Sequence, residues 1–241
     1  MKGNAFNIAI DGPAGAGKST IARQVARELA FVYVDTGAMY RAIALYFLRK
    51  GVAGTDEAAV SSQVGDAVIT IRYQEGIQQV LLNGQDVSGE IRTEQVGNMA
   101  SAISAYPAVR AHLLGLQRSL AAGTDVIMDG RDIGTCVLPE ADLKIFLSAS
   151  PAVRAKRRFT ELEEKGVACN LQEIEQDIIE RDKRDMNREI APLKQAEDAV
   201  YLDSSDMTIE QVVEAIIAAA FSRGLNLKEA EGADFPEEGE C

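Results

Sequence analysis

Short apolar runs alternate along this chain with stretches in which hydrophobic residues recur one helical turn apart. The runs at 7–10, 32–34, 126–128, 144–147 and 200–202 read as strands. The stretches 18–30, 38–50, 108–121 and 208–223 read as helices. Strands this apolar have no wet face, and helices lie between them. The pattern therefore predicts an α/β fold: a five-stranded parallel sheet between two helical layers, a three-layer αβα arrangement.

Two stretches break the rhythm. From 66 to 88 the period falls to two, with Val68, Thr70 and Arg72 alternating with Ile69, Ile71 and Tyr73. The run 80–82 leads into Asn83-Gly84, a strong hairpin signal. A small antiparallel sheet inserted into the α/β core is expected, serving either substrate recognition or as surface ornament. From 151 to 188 the chain is highly charged and helical. Ser150-Pro151 is a cap followed by proline at the first helical position, Gly166 suits a stop, and Asn170-Leu-Gln-Glu173 resembles a capping box. Arg154, Lys156, Arg157 and Arg158 on the first arm make this helical hairpin a candidate lid over phosphates.

The first strand runs into Gly12-Pro-Ala-Gly-Ala-Gly17-Lys18-Ser19, and the first helix follows at once. Strand, glycine-rich loop and helix make the context of a phosphate-binding P-loop. Its backbone N–H groups and the positive end of the helix dipole suit anionic oxygens. Lys18 would reach the β/γ-phosphates and Ser19 would ligate Mg²⁺. Gly12, Pro13, Ala14, Gly15, Ala16, Gly17, Lys18, Ser19 and Thr20 are thus the expected ATP-binding residues.

Composition narrows the picture. The 241 residues carry a formal net charge of −12, which argues against binding long nucleic acids. No apolar run has the length of a membrane span, and the N-terminus has no basic-then-apolar leader. Cys136, Cys169 and Cys241 form no CxxC pair and suit a reducing cytosol. Six acids and one base among residues 227–241 account for −5 of the charge, so 226–241 is expected to be a disordered acidic tail after a P-loop kinase domain at 1–225. A guanine-reading Asn-Lys-x-Asp is absent, and Asp86-Val-Ser-Gly89, a match to a GTPase switch, falls in the inserted hairpin.

Polar residues just beyond the strands point to a second substrate. Asp35-Thr36-Gly37 leads through Met39-Tyr40 to Arg41, and Asp129-Gly-Arg131-Asp132 closes the third strand of the core. Ligands of open α/β sheets sit there. Asp129 is either a Walker-B-like carboxylate acting on Mg²⁺ through water or a capping or turn aspartate. Arg181, Asp185 and Arg188 are spaced i, i+4, i+7, on one helical face, either as a solvated ion-pair face or as part of a site. Arg41, Arg110 and Arg131 favour a site, because two phosphate groups brought together need converging arginine forks.

Gly12 to Ser19, Asp35-Thr-Gly-Ala-Met-Tyr-Arg41, Asp129-Gly-Arg-Asp-Ile-Gly134 and Arg181-Asp-Lys-Arg-Asp-Met-Asn-Arg188 together resemble the bacterial cytidylate kinases, which are nucleoside monophosphate kinases. The likeness runs from the N-terminus to about residue 223. Thr36 stands where some members carry serine. The resemblance implies transfer of the γ-phosphoryl of ATP to CMP or dCMP, with Mg²⁺. It also implies a P-loop core, a monophosphate-binding region at about 36–110 and a lid at about 151–188. Arg41, Arg131 and Arg188 would hold the acceptor phosphate. Ser101, Arg110 and Asp132 would face cytosine, Arg181 and Asp185 the pentose, with Thr36 beside them. Lys18, Arg131, Asp132, Arg157 and Arg188 would carry catalysis, and Ser19 and Asp129 the metal. His112 is read as structural. A monomeric cytoplasmic protein is expected. The competing readings are a kinase for UMP, AMP or a non-nucleotide acceptor, and a P-loop switch that only hydrolyses or senses nucleotide.

Overall fold

The computed structural model of the chain describes residues 5–226. Its strands are β1 (Asn7–Asp11), β2 (Val32–Asp35), β3 (Ile69–Gln74), β4 (Ile77–Leu82), β5 (Gln85–Asp86), β6 (Val126–Gly130), β7 (Leu143–Ser148) and β8 (Val200–Asp203). Its helices are α1 (Lys18–Leu29), α2 (Thr36–Arg49), α3 (Glu57–Gln63), α4 (Glu94–Ile103), α5 (Pro107–Ala121), α6 (Pro151–Glu164), α7 (Leu171–Met186) and α8 (Ile209–Ser222). All five predicted core strands form, in the order β2-β6-β1-β7-β8, every pair parallel.

One hydrophobic cluster joins the sheet to α1 and α8 through Ile21, Val25, Val212 and Ile216. The other joins the opposite face to α2, α4, α5 and the insertion through Met39, Phe47, Ile103 and Leu113. Burying such side chains is worth roughly 1.5–3 kcal/mol each, which fixes the strand ends as a rigid platform. Registers Ile10↔Asp129 and Asp35↔Asp129 bring the polar ends of β1, β2 and β6 level.

The insertion is a three-stranded antiparallel sheet, β3-β4-β5. Its half-buried residues alternate as the period-two pattern predicts. Asn83 and Gly84 both have positive φ, at 50° and 82°, as a two-residue type I′ hairpin requires. A second such turn, Glu75-Gly76 with φ of 51° and 73°, joins β3 to β4 and was not foreseen. Asp86 of the DxxG match accepts from Ser88 N and Oγ in a local turn of this sheet.

Several boundaries differ from the sequence reading. α2 starts at Thr36, two residues early, because the Asp35 carboxylate caps it by accepting from Ala38 N at 2.8 Å. Two helices, α3 and α4, were missed. In the lid, Ser150 and Asn170 both cap as expected. The reciprocal two-way capping box, however, forms at Thr208 and Gln211. α7 ends at Met186, so Arg188 lies past the helix and not on a third turn of it. The acidic tail expected at 226–241 falls outside the described residues apart from Asn226.

Candidate active site

The P-loop leaves β1 through Gly12, whose φ of +150° and close approach to β7 exclude a side chain. A Cβ there would lie 1.9 Å from the Leu147 carbonyl oxygen. The loop then enters α1 through Gly17, in the left-handed region at φ 84°. Lys18 is buried and its Nζ donates to the Pro13 carbonyl at 2.7 Å. Burial, and next the positive charge of Arg131, pull its pKa well below the usual lysine value, while Asp129 and Asp11 oppose the shift. Ser19 Oγ donates to Asp129 Oδ2 at 2.9 Å, and Tyr33 OH donates to Asp129 Oδ1, also at 2.9 Å. Asp129 sits inside β6 and not in a turn after it, which removes the turn-aspartate reading. Burial, then Asp35, raises its pKa.

One continuous cavity of about 750 Å³ runs from the P-loop to the far side of the sheet ends. Every binding or catalytic residue expected from the sequence lines it except Gly12 and Pro13, which are buried. Thr36 Oγ1 donates to the Asp129 carbonyl at 2.8 Å, tying the start of α2 to β6. Ser101 stands on α4. Arg110, on α5, pairs with Asp132, donates to the Ser104 carbonyl at 3.2 Å, and lies over the Tyr40 ring at 5.7 Å. Burial raises the Asp132 pKa, against the pull of Arg110 and Arg188.

From the lid, Asp185 is 1% exposed. Its Oδ2 accepts from Arg131 Nε at 3.1 Å and its Oδ1 from Arg188 Nη2 at 2.5 Å. These are desolvated pairs, so the solvated-face reading of this helix is wrong. Arg41 pairs with Asp35 at 3.0 Å. Arg181 Nε and Arg41 Nε are buried without a partner. Arg181 is depressed to about 10, first by burial and then by Arg131. Four guanidiniums thus converge on a space where Asp185 is the anion shared by two of them.

Arg157 lines the cavity from α6, but its Nη2 donates to the Ser204 carbonyl at 2.7 Å, beyond β8. His112 Nε2 lies 2.9 Å from the Ala67 carbonyl, away from the cavity, as a structural role requires. Cys136 and Cys169 are free thiols.

The sequence reading overlooked Asp11 at this site, and it named Arg154 only as one of the basic residues of the candidate lid. Asp11, buried at the end of β1, accepts from the Ile133 and Gly134 N–H groups, both at 2.7 Å, and so holds the turn that follows Arg131 and Asp132. Burial raises its pKa to about 6. Arg154 Nη1 donates to the P-loop carbonyl of Ala14 at 2.8 Å, and its guanidinium also forks onto Asp182. An aspartate immediately before the first P-loop glycine was the available signal for Asp11. For Arg154, already counted among the lid bases, the contact with the P-loop carbonyl of Ala14, 140 residues away, is what the sequence did not show.

A family profile described as cytidylate kinase matches residues 8–222. A cytidylate kinase of Lactobacillus johnsonii is 49% identical over 211 residues, covering 88% of this chain and 92% of that protein. One from Lactobacillus gasseri is 50% identical, with the same coverage. One from a Geobacillus strain is 47% identical over 214 residues, covering 89% of this chain and 96% of its own. The chain belongs to the cytidylate kinase family. Among solved structures, a shikimate kinase from Acinetobacter baumannii in complex with shikimate overlaps 92% of this chain and 97% of its own. That overlap has 15% identity and a TM-score of 0.45. For a cytidylate kinase family member, the four motifs that carried the sequence resemblance all meet at one cavity. Among the described residues no helix is long and apolar enough to cross a membrane.

Proposed function

We propose that the protein transfers the γ-phosphoryl group of ATP to CMP or dCMP, giving ADP and CDP or dCDP. The observation that carries this reading is the shortage of anions at the acceptor end of the cavity. Arg181 and Arg41 keep buried N–H groups without partners, and burial first, with the charge of Arg131 adding to it, lowers the pKa of Lys18, Arg181 and Arg188. A dianionic phosphate relieves that repulsion and completes those hydrogen bonds. Arg41, Arg131 and Arg188 hold it. The Arg110–Asp132 pair, with Ser101, faces the base: Asp132 accepts from an exocyclic amino group, which cytosine has and uracil lacks. Arg181 and Asp185 take the pentose, and Thr36 shapes the floor beneath.

The acceptor oxygen is already ionised, so no general base is required. A bond forms from that oxygen to the γ-phosphorus as the β–γ bridging oxygen departs with ADP. Lys18 moves from the Pro13 carbonyl to the β/γ-phosphates, and Arg157 releases Ser204 to reach the transferring group. Positioning and charge stabilisation supply the rate. Ser19 Oγ and the Asp129 carboxylate, 2.9 Å apart, are hard oxygen donors that fit Mg²⁺. Among the described residues no group of three or more His, Cys, Asp or Glu side chains could hold a metal ion. An Mg²⁺ ion held by Ser19 and Asp129 would supply charge neutralisation to the phosphates of the nucleotide.

The proposal includes a P-loop core, a monophosphate region at about 36–110 and a lid at about 151–188. It also includes a monomer working in the cytoplasm. ADP release is measured with CMP, dCMP, UMP, AMP or no acceptor. Strong dependence on the cytidine nucleotides is expected. Turnover without an acceptor, or an equal rate with UMP, refutes the reading.

A further inference from the structure

β2 is an edge strand of the parallel sheet, and one row of its backbone groups faces away from β6. Unpaired edge groups need partners. Here the partners are side chains of the insertion. The Asp35 N–H donates to Gln78 Oε1 at 2.8 Å, and Gln78 Nε2 donates to the Asp35 carbonyl at 3.2 Å. The Gln78 carboxamide therefore pairs with Asp35 as a neighbouring strand would. Two residues back on the same edge, the Tyr33 carbonyl accepts from Tyr73 OH at 3.1 Å. Tyr73 and Gln78 are direct cross-strand partners in the β3–β4 hairpin, so one face of that hairpin makes the whole contact.

The clamped residue carries the acceptor side of the site. The Asp35 carboxylate caps α2 and accepts from Arg41 Nη2 at 3.0 and 3.3 Å. Arg92, from the end of the insertion, also pairs with it, at 3.3 Å. Neither Gln78 nor Tyr73 lines the cavity. The insertion thus reaches Arg41 at second hand, through the backbone of Asp35 and through Arg92.

We propose that Gln78 is a positioning residue for the acceptor: its carboxamide pins the end of β2 and, through Asp35, sets the Arg41 guanidinium that receives the acceptor phosphate. This rests on the reading of Arg41 as an acceptor-phosphate ligand. The insertion then acts as a lateral brace for monophosphate binding; its link to the P-loop is longer, running from Tyr73 through Tyr33 and Asp129 to Ser19.

The test is a double-mutant cycle on steady-state kinetics of the full chain, using Gln78→Leu, Arg41→Ala and both together. Each is measured with varied CMP and with varied MgATP. Gln78→Leu keeps the size of the side chain and removes both hydrogen bonds. It is expected to raise the KM for CMP about tenfold and to move the KM for MgATP less than about twofold. In the Arg41→Ala background the same change is expected to shift the KM for CMP less than about twofold, because the residue it positions is gone. An unmoved KM for CMP, an equal rise for both substrates, or a full tenfold effect on top of Arg41→Ala overturns the proposal. If Gln78→Leu does not fold, Tyr73→Phe removes one hydroxyl from the same clamp. It is expected to raise the KM for CMP about threefold through the same cycle, and no rise overturns the proposal. A wild-type chain that phosphorylates no nucleoside monophosphate refutes the kinase reading and the clamp together. An active wild type with an unmoved KM for CMP in the variants refutes the clamp alone.

Discussion

Replacing Asp185 with alanine tests the arginine cluster most directly. The carboxylate is 1% exposed and divides its two oxygens between Arg131 and Arg188, themselves 22% and 9% exposed. Removing one member of a desolvated charge pair costs about 2–5 kcal/mol, because the remaining charge stays buried without a partner. At 1.4 kcal/mol per factor of ten, kcat/KM for CMP should fall between about 30-fold and several thousandfold. A solvated pair would be worth less than about 1 kcal/mol, or under about fivefold. A second effect runs the other way: without Asp185 the cluster is more positive and attracts anions more strongly. The variant should therefore melt well below wild type in dilute buffer and recover part of the loss in inorganic phosphate, more than wild type gains. Loss of the pentose partner should affect CMP and dCMP unequally, since they differ only at the 2′-hydroxyl. Kinetics on both substrates and melting with and without phosphate settle the matter. A folded variant within about fivefold of wild type on both substrates would refute the reasoning.

Three further outcomes are expected. Asp132→Ala should lower the preference for CMP over UMP by at least about tenfold while leaving the KM for MgATP nearly unchanged, and an unaltered preference would move base recognition elsewhere. Burial raises the Asp11 pKa from the ordinary 3.8 to about 6 in the folded state, so its contribution to stability is fully present below about pH 4 and is lost as pH rises through 6. Chemical denaturation from pH 4 to 7 should accordingly show wild type losing roughly 3 kcal/mol relative to Asp11→Asn, and parallel curves would show that Asp11 does not titrate there. Truncation after Asn226 should leave melting and activity unchanged, whereas truncation after Arg223 removes the buried Leu225 and should cost about 1.5–3 kcal/mol; equal melting of the two would contradict this.

The core was legible because parallel strands buried on both faces write themselves as apolar runs, and the P-loop because its backbone demands glycine. α4 was overlooked although Thr93 caps it and Val96, Met99, Ala100 and Ile103 follow helical spacing. Its small residues and Gly97 dilute the hydrophobic signal. α3 contributes one buried side chain, Val60, which is too little periodicity to read. The arginine positions were legible as a set, but their pairing was not, since Asp185 is 54 residues from Arg131. Gln78 left no trace at all: in a period-two strand it occupies an ordinary polar position, and its work depends on a neighbour 43 residues away. Residues that meet substrate cluster in motifs, while residues that hold those motifs in place are scattered.

Arg154, 2% exposed, joins the Ala149 and Ala14 carbonyls to Asp182, and so stitches both lid helices to the loop that grips the donor. A hinge at the root of α6 would tear that knot out of a dry interior. Swinging of the lid is therefore cheapest toward its tip, where α6 and α7 are largely polar and exposed, and the root stays with the core as a fulcrum. Ala14 belongs to the glycine-rich loop itself, so the root of the hairpin and that loop share one buried hydrogen bond. If the loop holds the donor as proposed, a shift of the Ala14 carbonyl is passed to both helices of the hairpin through this one guanidinium.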